Sequence, residues 1–207
     1  QLGARMHYAI PRMLHEAGML AHFYTDICAV KGWPRLVAAM PEALQPKGLK
    51  RLLGRVPEGV PRKNITAFTN FGFQYQRRRA SAKSPTEMTH SHLWAGKRFC
   101  EMVLAKGFRG ATGVYTFNSA GLELLSAARQ QGLRAVMEQT IAPREIEAQL
   151  LQQEHERFPG WEPPLGEDTA EEEFIARERA EWAVADLILC GSEFVKESIA
   201  ACGGPVA

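Results

Sequence analysis

Polar residues follow three short apolar runs of the sequence, as they do where a strand ends in a loop. In chain order they are Asn118 and Ser119, then Glu138, Gln139 and Thr140, then Ser192 and Glu193. Since the carboxyl ends of parallel strands meet at one edge of an open sheet, we predict that these side chains line one rim and bind a ligand. Such groups hydrogen-bond sugar hydroxyls, and Glu138 has the chemistry of a general base or of a hydroxyl acceptor. The ordinary alternative is helix capping by Asn118, Thr140 and Ser192, which we expect for at least two of them.

The start of the chain provides a second candidate site. Gly3 lies in a short loop before a predicted helix, where backbone N–H groups and the positive end of the helix dipole favour an anion. An ordinary start of a helix explains the same residues. His7 lies on this helix close to the expected site and is a candidate substrate contact, although a packed or solvated histidine is the commoner case.

Sequence motifs for nucleotides and metals are absent. Neither G-x-G-x-x-G nor G-x-x-x-x-G-K-[ST] occurs in the sequence. His90 and His92 are two residues apart on a predicted helix, so their side chains point about 200° from each other and make a poor metal pair. The four cysteines form no C-x-x-C pair, which favours reduced thiols over disulfides or a structural zinc. We therefore predict no metal site.

Composition excludes several classes of protein. The 207 residues are 45% hydrophobic, enough for a substantial core, and the net charge of +2 gives no basic field of the kind that marks a nucleic-acid-binding protein. No apolar run approaches the roughly 20 residues that span a bilayer. Arg77–Arg79 lie in a segment, 74–83, that we expect to be exposed and mobile. This cluster is compatible with contact to nucleic acid, an anionic membrane or an acidic acceptor, but a solvated charge run beside a strand is preferred.

Strands and helices alternate along the sequence, which favours an α/β fold with a Rossmann-like parallel sheet and helices on both faces. Gly18 and Gly107 are predicted helix stops, and Ser84 and Thr169 open predicted capping boxes. We expect a single domain over residues 1–207. The predicted strands are 19–26, 64–68, 111–117, 133–138 and a buried strand within 185–196; the predicted helices are 3–17, 84–106, 119–131, 143–155 and 169–184, with short helices near 48–53 and after Ser192.

Both ends of the chain lead us to expect further segments. A chain that opens on a helix followed by a strand suggests a β-α-β unit without its first strand. Residues 203–207 read as the start of a linker to a second domain. A sheet without a central strand and without its partner domain exposes apolar surface. We therefore expect the isolated chain to self-associate or to be only marginally stable.

Four segments resemble one known family. Residues 185–196 read Ala-Asp-Leu-Ile-Leu-Cys-Gly-Ser-Glu-Phe-Val-Lys and resemble the segment that closes the N-terminal domain of bacterial family 4 glycosyltransferases of the GT-B fold. Residues 138–143, 157–161 and 178–182 resemble one subgroup of that family. The likeness extends over 110–200, and over 1–26 as a first helix and second strand. Residues 30–105 are not diagnostic and read as a variable, insert-like region.

The resemblance implies two Rossmann-like domains that face a cleft. The N-terminal domain would hold the acceptor, and a C-terminal domain that this sequence does not contain would hold the nucleotide-sugar donor. It implies glycosyl transfer with retained anomeric configuration, without a metal ion or other cofactor. The loop around Gly3 would face the donor phosphates, and Asn118, Ser119, Glu138 and Gln139 would lie beside the reacting sugar. The family often has histidine there; this chain has none, so a histidine-assisted mechanism is not expected.

We therefore expect the acceptor-side domain of a glycosyltransferase for a cell-envelope or polysaccharide acceptor, inactive by itself, in the cytoplasm at the inner face of the membrane. Its partners would be a nucleotide sugar, a glycan or lipid-linked acceptor, the C-terminal domain and the membrane surface, but not nucleic acid. A non-catalytic α/β ligand-binding module is the alternative, because fold analogy supports it equally well. A nucleic-acid-binding protein is a weaker alternative that rests only on Arg77–Arg79.

Overall fold

The computed structural model describes residues 1–41, 44–45, 49–163 and 166–205. Its strands are β1 (Phe23–Thr25), β2 (Ile65–Ala67), β3 (Gly113–Phe117), β4 (Arg134–Gln139) and β5 (Leu187–Cys190). Its helices are α1 (Ala9–Glu16), α2 (Gly32–Ala38), α3 (Lys50–Leu53), α4 (Thr69–Ser81), α5 (Pro85–Leu104), α6 (Leu122–Gln130), α7 (Arg144–Arg157), α8 (Glu171–Val184) and α9 (Glu193–Ala201). Within these ranges no helix is both long and apolar enough to cross a membrane.

The paired strands are parallel and belong to two sheets. β1 pairs with β2 in one sheet, and the other has the order β3-β4-β5. The chain divides into two compact units: a first unit of Gln1–Arg77 with Met102–Ala111, and a second unit of Arg78–Glu101 with Thr112–Ala207. The predicted α/β class, with parallel strands flanked by helices, is confirmed. Hydrogen bonding among the described residues gives two sheets where the sequence led us to expect one.

The core of the second unit covers one face of its sheet. Successive residues of a strand point to opposite faces, so Ala135 and Met137 of β4 point into this core. Ile188 and Cys190 of β5 pack against it from the neighbouring strand. Helices α6, α8 and α9 supply the remaining core side chains, which are Leu125, Trp182, Val195 and Ile199.

The first unit packs its two strands against the turn that precedes α1. Tyr8 and Phe23 meet edge to face with ring centroids 5.7 Å apart, and both belong to its buried cluster. Met6, His7 and Tyr8 have left-handed φ values of 49°, 48° and 62°, a conformation that costs about 1–2 kcal/mol per residue. The predicted helix 3–17 is therefore wrong at its N-terminal end, because α1 begins only at Ala9. Pro11 lies in the first turn of α1, where its missing N–H is tolerated.

The basic segment was predicted to lie beside a strand, but it is part of α4, and its predicted mobility stays a prediction. Arginine favours helix, and Gly72 lets α4 approach Ile27, since an added Cβ would lie 2.8 Å from the Cβ of that residue. The predicted exposure of Arg77–Arg79 is confirmed. The guanidinium of Arg78 stacks 4.3 Å from the centre of the Trp94 ring.

The prediction that the last strand is buried is wrong. β5 is an edge strand, and only its alternate residues, Ile188 and Cys190, face the core. Leu187 and Leu189 point the other way and are exposed. An apolar run is compatible with either environment, which is why the sequence did not reveal the difference.

The two predicted capping boxes behave differently. Ser84 Oγ accepts the Glu87 N–H at 3.2 Å, so Ser84 caps α5 as predicted, while the Glu87 carboxylate accepts the N–H of the preceding residue, Lys83, at 2.6 Å. The box predicted at Thr169 is wrong, because α8 begins at Glu171 with no side-chain cap from Thr169. The N–H of Thr169 donates instead to Thr86 Oγ1 at 3.0 Å, which joins this loop to α5.

Candidate functional site

Asn118 joins the carboxyl ends of β3 and β4 by donating one hydrogen bond and accepting another. The Asn118 N–H donates to the Glu138 carbonyl at 2.9 Å, which continues the strand pairing by one residue. The Asn118 Oδ1 then accepts the Thr140 hydroxyl at 3.0 Å. Asn118 is 2% exposed, whereas Thr140 is half-buried. The structure thus brings two of the predicted rim residues together and fixes the orientation of both side chains.

Glu138 lies on the face of the sheet opposite the core. It is aligned with Phe117 of β3 and Leu189 of β5, whereas its neighbours Met137 and Gln139 point the other way. Its carboxylate accepts a short hydrogen bond from the Tyr115 hydroxyl. Burial and this carboxylate raise the pKa of Tyr115, so the phenol stays protonated and remains a donor. Glu138 is therefore oriented by Tyr115 and holds a hydroxyl group in this structure.

Gln139 faces the interior. Its side chain is fully buried, its Oε1 accepts the Trp182 indole N–H at 3.2 Å, and its Nε2 donates to the Glu178 carboxylate at 3.3 Å. A second donation goes to the Ile141 carbonyl at 3.1 Å. These bonds link β4 to α8, so Gln139 supports the rim from behind and does not present its amide there.

The N-terminus of α6 is capped by a glutamate from α8. Glu181 is fully buried, and its two oxygens accept the N–H groups of Ser119 at 2.7 Å, Gly121 at 3.0 Å and Leu122 at 3.1 Å. Arg177, one helical turn earlier, lies 3.8 Å from the same carboxylate. A carboxylate at this position complements the helix dipole and satisfies N–H groups that the helix leaves unpaired.

A second glutamate of α8 does the same for α7. The Glu178 carboxylate accepts the Arg144 N–H, the first of α7, at 2.8 Å. Of the three predicted side-chain caps only Ser192 forms, by accepting the Val195 N–H at 3.3 Å. Capping by Asn118 and Thr140 is wrong, because the helix starts after β3 and β4 take their acceptors from α8.

Sequence reasoning missed Glu178 and Glu181 as functional groups. They are three residues apart, so both lie on one face of α8, next to Trp182. The available signal was two acidic residues beside a tryptophan in the middle of a helix. Carboxylates on the apolar side of a helix are rarely buried unless they have hydrogen-bonding partners. The signal indicates buried acceptors, but it does not say which N–H groups they accept.

Burial dominates the electrostatics of Glu181. Loss of hydration raises the pKa of Glu181 to about 7, although the backbone donors and Arg177 favour the charged form. Arg177 is itself held by Glu123 through two bonds of 2.9 and 2.7 Å. The loop between β3 and α6 therefore rests on a network of two glutamates and one arginine, in which Glu181 is fully buried and Arg177 and Glu123 are half-buried.

Ser119 occupies a strained position at the centre of this loop. Its φ is 67°, which is uncommon for a residue with a side chain. Three contacts hold its backbone: its N–H donates to Glu181, its carbonyl oxygen accepts the Arg177 Nε–H at 3.3 Å, and a Cβ added to Gly96 of α5 would lie 2.2 Å from the same oxygen. Such strain persists only where the surroundings enforce it, and it often marks a ligand site.

Ser192 and Glu193 follow β5 and have partners of their own. The Ser192 hydroxyl caps α9, and the exposed carboxylate of Glu193 pairs with Lys196 at 3.0 Å. The pairing of Gln139 with Cys190 places the end of β5 level with the end of β4. These two residues are therefore at the predicted edge of the sheet.

Gly3 and His7 belong to the first unit. The Gly3 N–H donates at 3.0 Å to the carboxylate of Asp26, which is fully buried and also accepts the Thr25 hydroxyl at 3.1 Å. A carboxylate of the protein thus occupies the position where an external anion was predicted. His7 is exposed on the left-handed turn before α1.

The rim residues of the second unit hold hydroxyl, amide and carboxylate groups in a fixed arrangement, in which Asn118 and Glu138 are buried and Tyr115, Ser119 and Thr140 are half-buried. In the described ranges no three His, Cys, Asp or Glu side chains gather as a metal ion would require. Asn118, Ser119, Thr140 and the Tyr115–Glu138 pair both donate and accept hydrogen bonds, which suits a ligand rich in hydroxyl groups. The chain matches no family model, no curated protein and no solved structure.

Proposed function

We propose that this chain is the acceptor-binding half of a retaining glycosyltransferase that uses a nucleotide-sugar donor and needs no metal ion. The observation that supports the proposal is the set of hydrogen-bonded polar side chains at the ends of β3 and β4, which comprises Asn118, Ser119 and Thr140 together with the Tyr115–Glu138 pair. The likeness of residues 185–196 to the family 4 enzymes supports the same reading. The acceptor would be a cell-envelope glycan or a lipid-linked sugar at the inner face of the membrane.

In this proposal Glu138 accepts a hydrogen bond from the acceptor hydroxyl that attacks the donor. Tyr115 fixes the carboxylate, and Asn118 and Thr140 bind neighbouring hydroxyls of the same sugar. Catalysis then comes from positioning and from stabilisation of the departing phosphate, which the donor-binding domain provides. The chain by itself binds acceptor and transfers little or no sugar.

A non-catalytic ligand-binding module is the second candidate, and one observation favours it. Three places where an anion would bind are occupied by carboxylates of the chain: Asp26 at Gly3, Glu181 at α6 and Glu178 at α7. A module of this kind binds neutral ligands, and its Glu138 carboxylate only accepts the hydrogen bond of the Tyr115 hydroxyl.

The two candidates are separated by ligand binding. We expect saturation-transfer NMR to detect binding of a neutral oligosaccharide, but not of UDP or GDP, and Asn118→Ala to abolish it. Glu138→Gln should weaken binding at least about tenfold if the carboxylate holds a substrate hydroxyl, since hydrogen bonds to charged groups contribute about 1.5–3 kcal/mol. Glycan binding that is unchanged in Glu138→Gln favours the module. Nucleotide binding without any glycan binding contradicts both candidates.

A further inference from the structure

Basic and acidic side chains are divided unevenly between the two units. The first unit has 13 Lys and Arg but only 4 Asp and Glu, a net charge of +9, whereas the second unit has 12 and 19, a net charge of −7. These two charges sum to the +2 of the whole chain, so the total conceals a strongly basic unit. A unit of this charge attracts anionic surfaces over roughly one Debye length, about 8 Å at physiological salt.

One surface of the first unit combines cations with exposed apolar side chains. It is formed by α2, the turn that follows it, and α3, which packs against α2. We call it the α2–α3 surface; its members are all exposed, and they are Arg35, Leu36, Met40, Leu44, Lys50 and Arg51. Acidic residues are scarce in this part of the sequence, since Glu42 is the only one between residues 27 and 57.

The apolar members of the α2–α3 surface follow one another at helical spacing. Leu36 and Met40 are four residues apart, and the turn continues to Met40, whose N–H donates to the Val37 carbonyl at 3.1 Å. The next turn is closed by the Leu44 N–H, which donates to the Pro41 carbonyl at 2.9 Å. Leu36, Met40 and Leu44 are 72%, 40% and 64% exposed. Several large apolar side chains exposed together mark contact sites more often than single ones do.

The cations of the α2–α3 surface have no counter-ions of their own. Arg35, Lys50 and Arg51 form no ion pair within the described part of the chain. Arg55, just after α3, differs from them because it lies 3.4 Å from the buried carboxylate of Asp26. The three exposed cations can therefore bind external anionic groups without breaking an existing ion pair.

The side chains beside these cations favour a lipid bilayer over nucleic acid. Proteins that hold single-stranded nucleic acid combine cations with aromatic side chains, on which the bases stack. The α2–α3 surface has two leucines and a methionine instead, and apolar side chains of this kind enter the boundary between lipid headgroups and acyl chains. Lys and Arg next to exposed apolar residues are typical of segments that lie on the surface of a bilayer.

We propose that the first unit docks on bilayers that contain anionic lipids through the α2–α3 surface. Its apolar side chains enter the headgroup boundary, and its cations pair with the lipid phosphates. Each cation near an anionic bilayer raises the affinity about fivefold, and α2 is short, so the attachment is reversible. Docking does not depend on the glycan site of the second unit, so either can be disproved while the other holds.

Co-sedimentation of the chain with lipid vesicles, in the absence of any sugar, measures this docking directly. We compare vesicles of phosphatidylcholine alone with vesicles that also contain about 30% phosphatidylglycerol, an anionic lipid. We expect the anionic vesicles to bind at least about tenfold more tightly, since the cations contribute only where the surface is negative. Salt screens this contribution, so the difference between the two kinds of vesicle should shrink as salt is added.

Two double variants remove the same charge from different places. We expect Arg35→Gln with Arg51→Gln to weaken binding to the anionic vesicles at least about tenfold. Arg62→Gln with Lys63→Gln is the matched control, because both residues are exposed in the first unit but lie outside the α2–α3 surface. We expect the control to weaken binding less than about threefold, because cations away from the contact are screened.

Leu36→Gln tests the apolar contact without a change of charge. We expect this variant to bind the anionic vesicles at least about fivefold more weakly at low and at high salt, because burial of apolar surface is not screened. Met19→Gln is its control, since Met19 is 71% exposed in the same unit but lies outside the α2–α3 surface. Circular dichroism checks that every variant is folded, and all the substituted positions are exposed in the native chain.

A wild-type chain that binds neither kind of vesicle overturns the proposal. So does an equal loss in the two double variants, which would indicate diffuse attraction by the whole basic unit, or wild-type binding by Leu36→Gln. Binding to a single-stranded oligonucleotide without binding to the anionic vesicles would assign the cations to nucleic acid instead.

Discussion

At the scale of single residues, Asn118 connects the ends of two strands through one side-chain oxygen. We expect Asn118→Ala to lower the free energy of unfolding by about 1–2 kcal/mol, because the Thr140 hydroxyl loses its acceptor in a half-buried place. Thr140→Val removes the donor of the same hydrogen bond, and the variant with both substitutions completes a double-mutant cycle. Urea unfolding of the four proteins should give a coupling of about 1 kcal/mol. Strictly additive effects would mean that this bond does not hold the rim.

Glu181 makes stability depend on pH in a direction opposite to that of most carboxylates. Because burial raises its pKa to about 7 from an ordinary value of 4.5, the folded chain binds this proton more tightly than the unfolded chain does. Its contribution is therefore complete below about pH 4.5 and is lost as the pH rises through about 7, at a rate of up to about 1.4 kcal/mol per pH unit.

We expect urea midpoints of the wild-type chain to fall between about pH 5 and about pH 8, and Glu181→Gln to flatten that fall. Glu193→Gln is the matched control, since Glu193 is exposed and caps nothing with its carboxylate. The same slope in Glu181→Gln and wild type would show that Glu181 does not titrate in this range.

The sequence predicted some site residues and missed others for one physical reason. Ser192 caps the helix that directly follows it, a local interaction that spacing reveals. The caps of α6 and α7 come from Glu181 and Glu178, far along the chain, so no local spacing encodes them. Gln139 was predicted to lie at the rim because it follows the predicted strand 133–138, but it is the last residue of β4 and points into the core because strand residues alternate.

At the scale of elements, α8 organises the loops that carry the rim. We expect Glu178→Ala to leave the Arg144 N–H without its acceptor and the Gln139 amide with only one of its two acceptors, which destabilises the start of α7 by about 1–3 kcal/mol. Hydrogen exchange of residues 144–148 should then be faster, while β3 is unaffected. Glu173→Ala, an exposed position on the same helix, is the control. Equal protection of α7 in both variants would contradict the assigned cap.

Helix boundaries were predictable where a local signal ends the helix. Gly18 and Gly107 lie just after α1 and α5 and have φ of 69° and 73°. Helices often end with a residue in this left-handed conformation, which glycine adopts without strain. α4 was not predictable from its alternating aromatic residues, since its placement depends on the fit of Gly72 against Ile27. That fit is a tertiary contact, and tertiary contacts override weak local preferences.

At the scale of the whole molecule, alternation of strands and helices was enough to predict the α/β class. It was not enough to predict that the strands form two sheets, because strand order depends on contacts between distant segments. The expected self-association of the chain stays a prediction. Function is least determined by the fold, since many activities share one α/β architecture.

The central claim is that sugar hydroxyls bind at the ends of β3 and β4, and the most direct measurement is an amide-resolved NMR titration of the chain with the oligosaccharide it binds. We predict shifts concentrated in residues 115–119 and 138–140, which disappear in Asn118→Ala while the other amides keep their positions. Shifts confined to the loop of Gly3 and His7, or spread evenly over the surface, would contradict the claim.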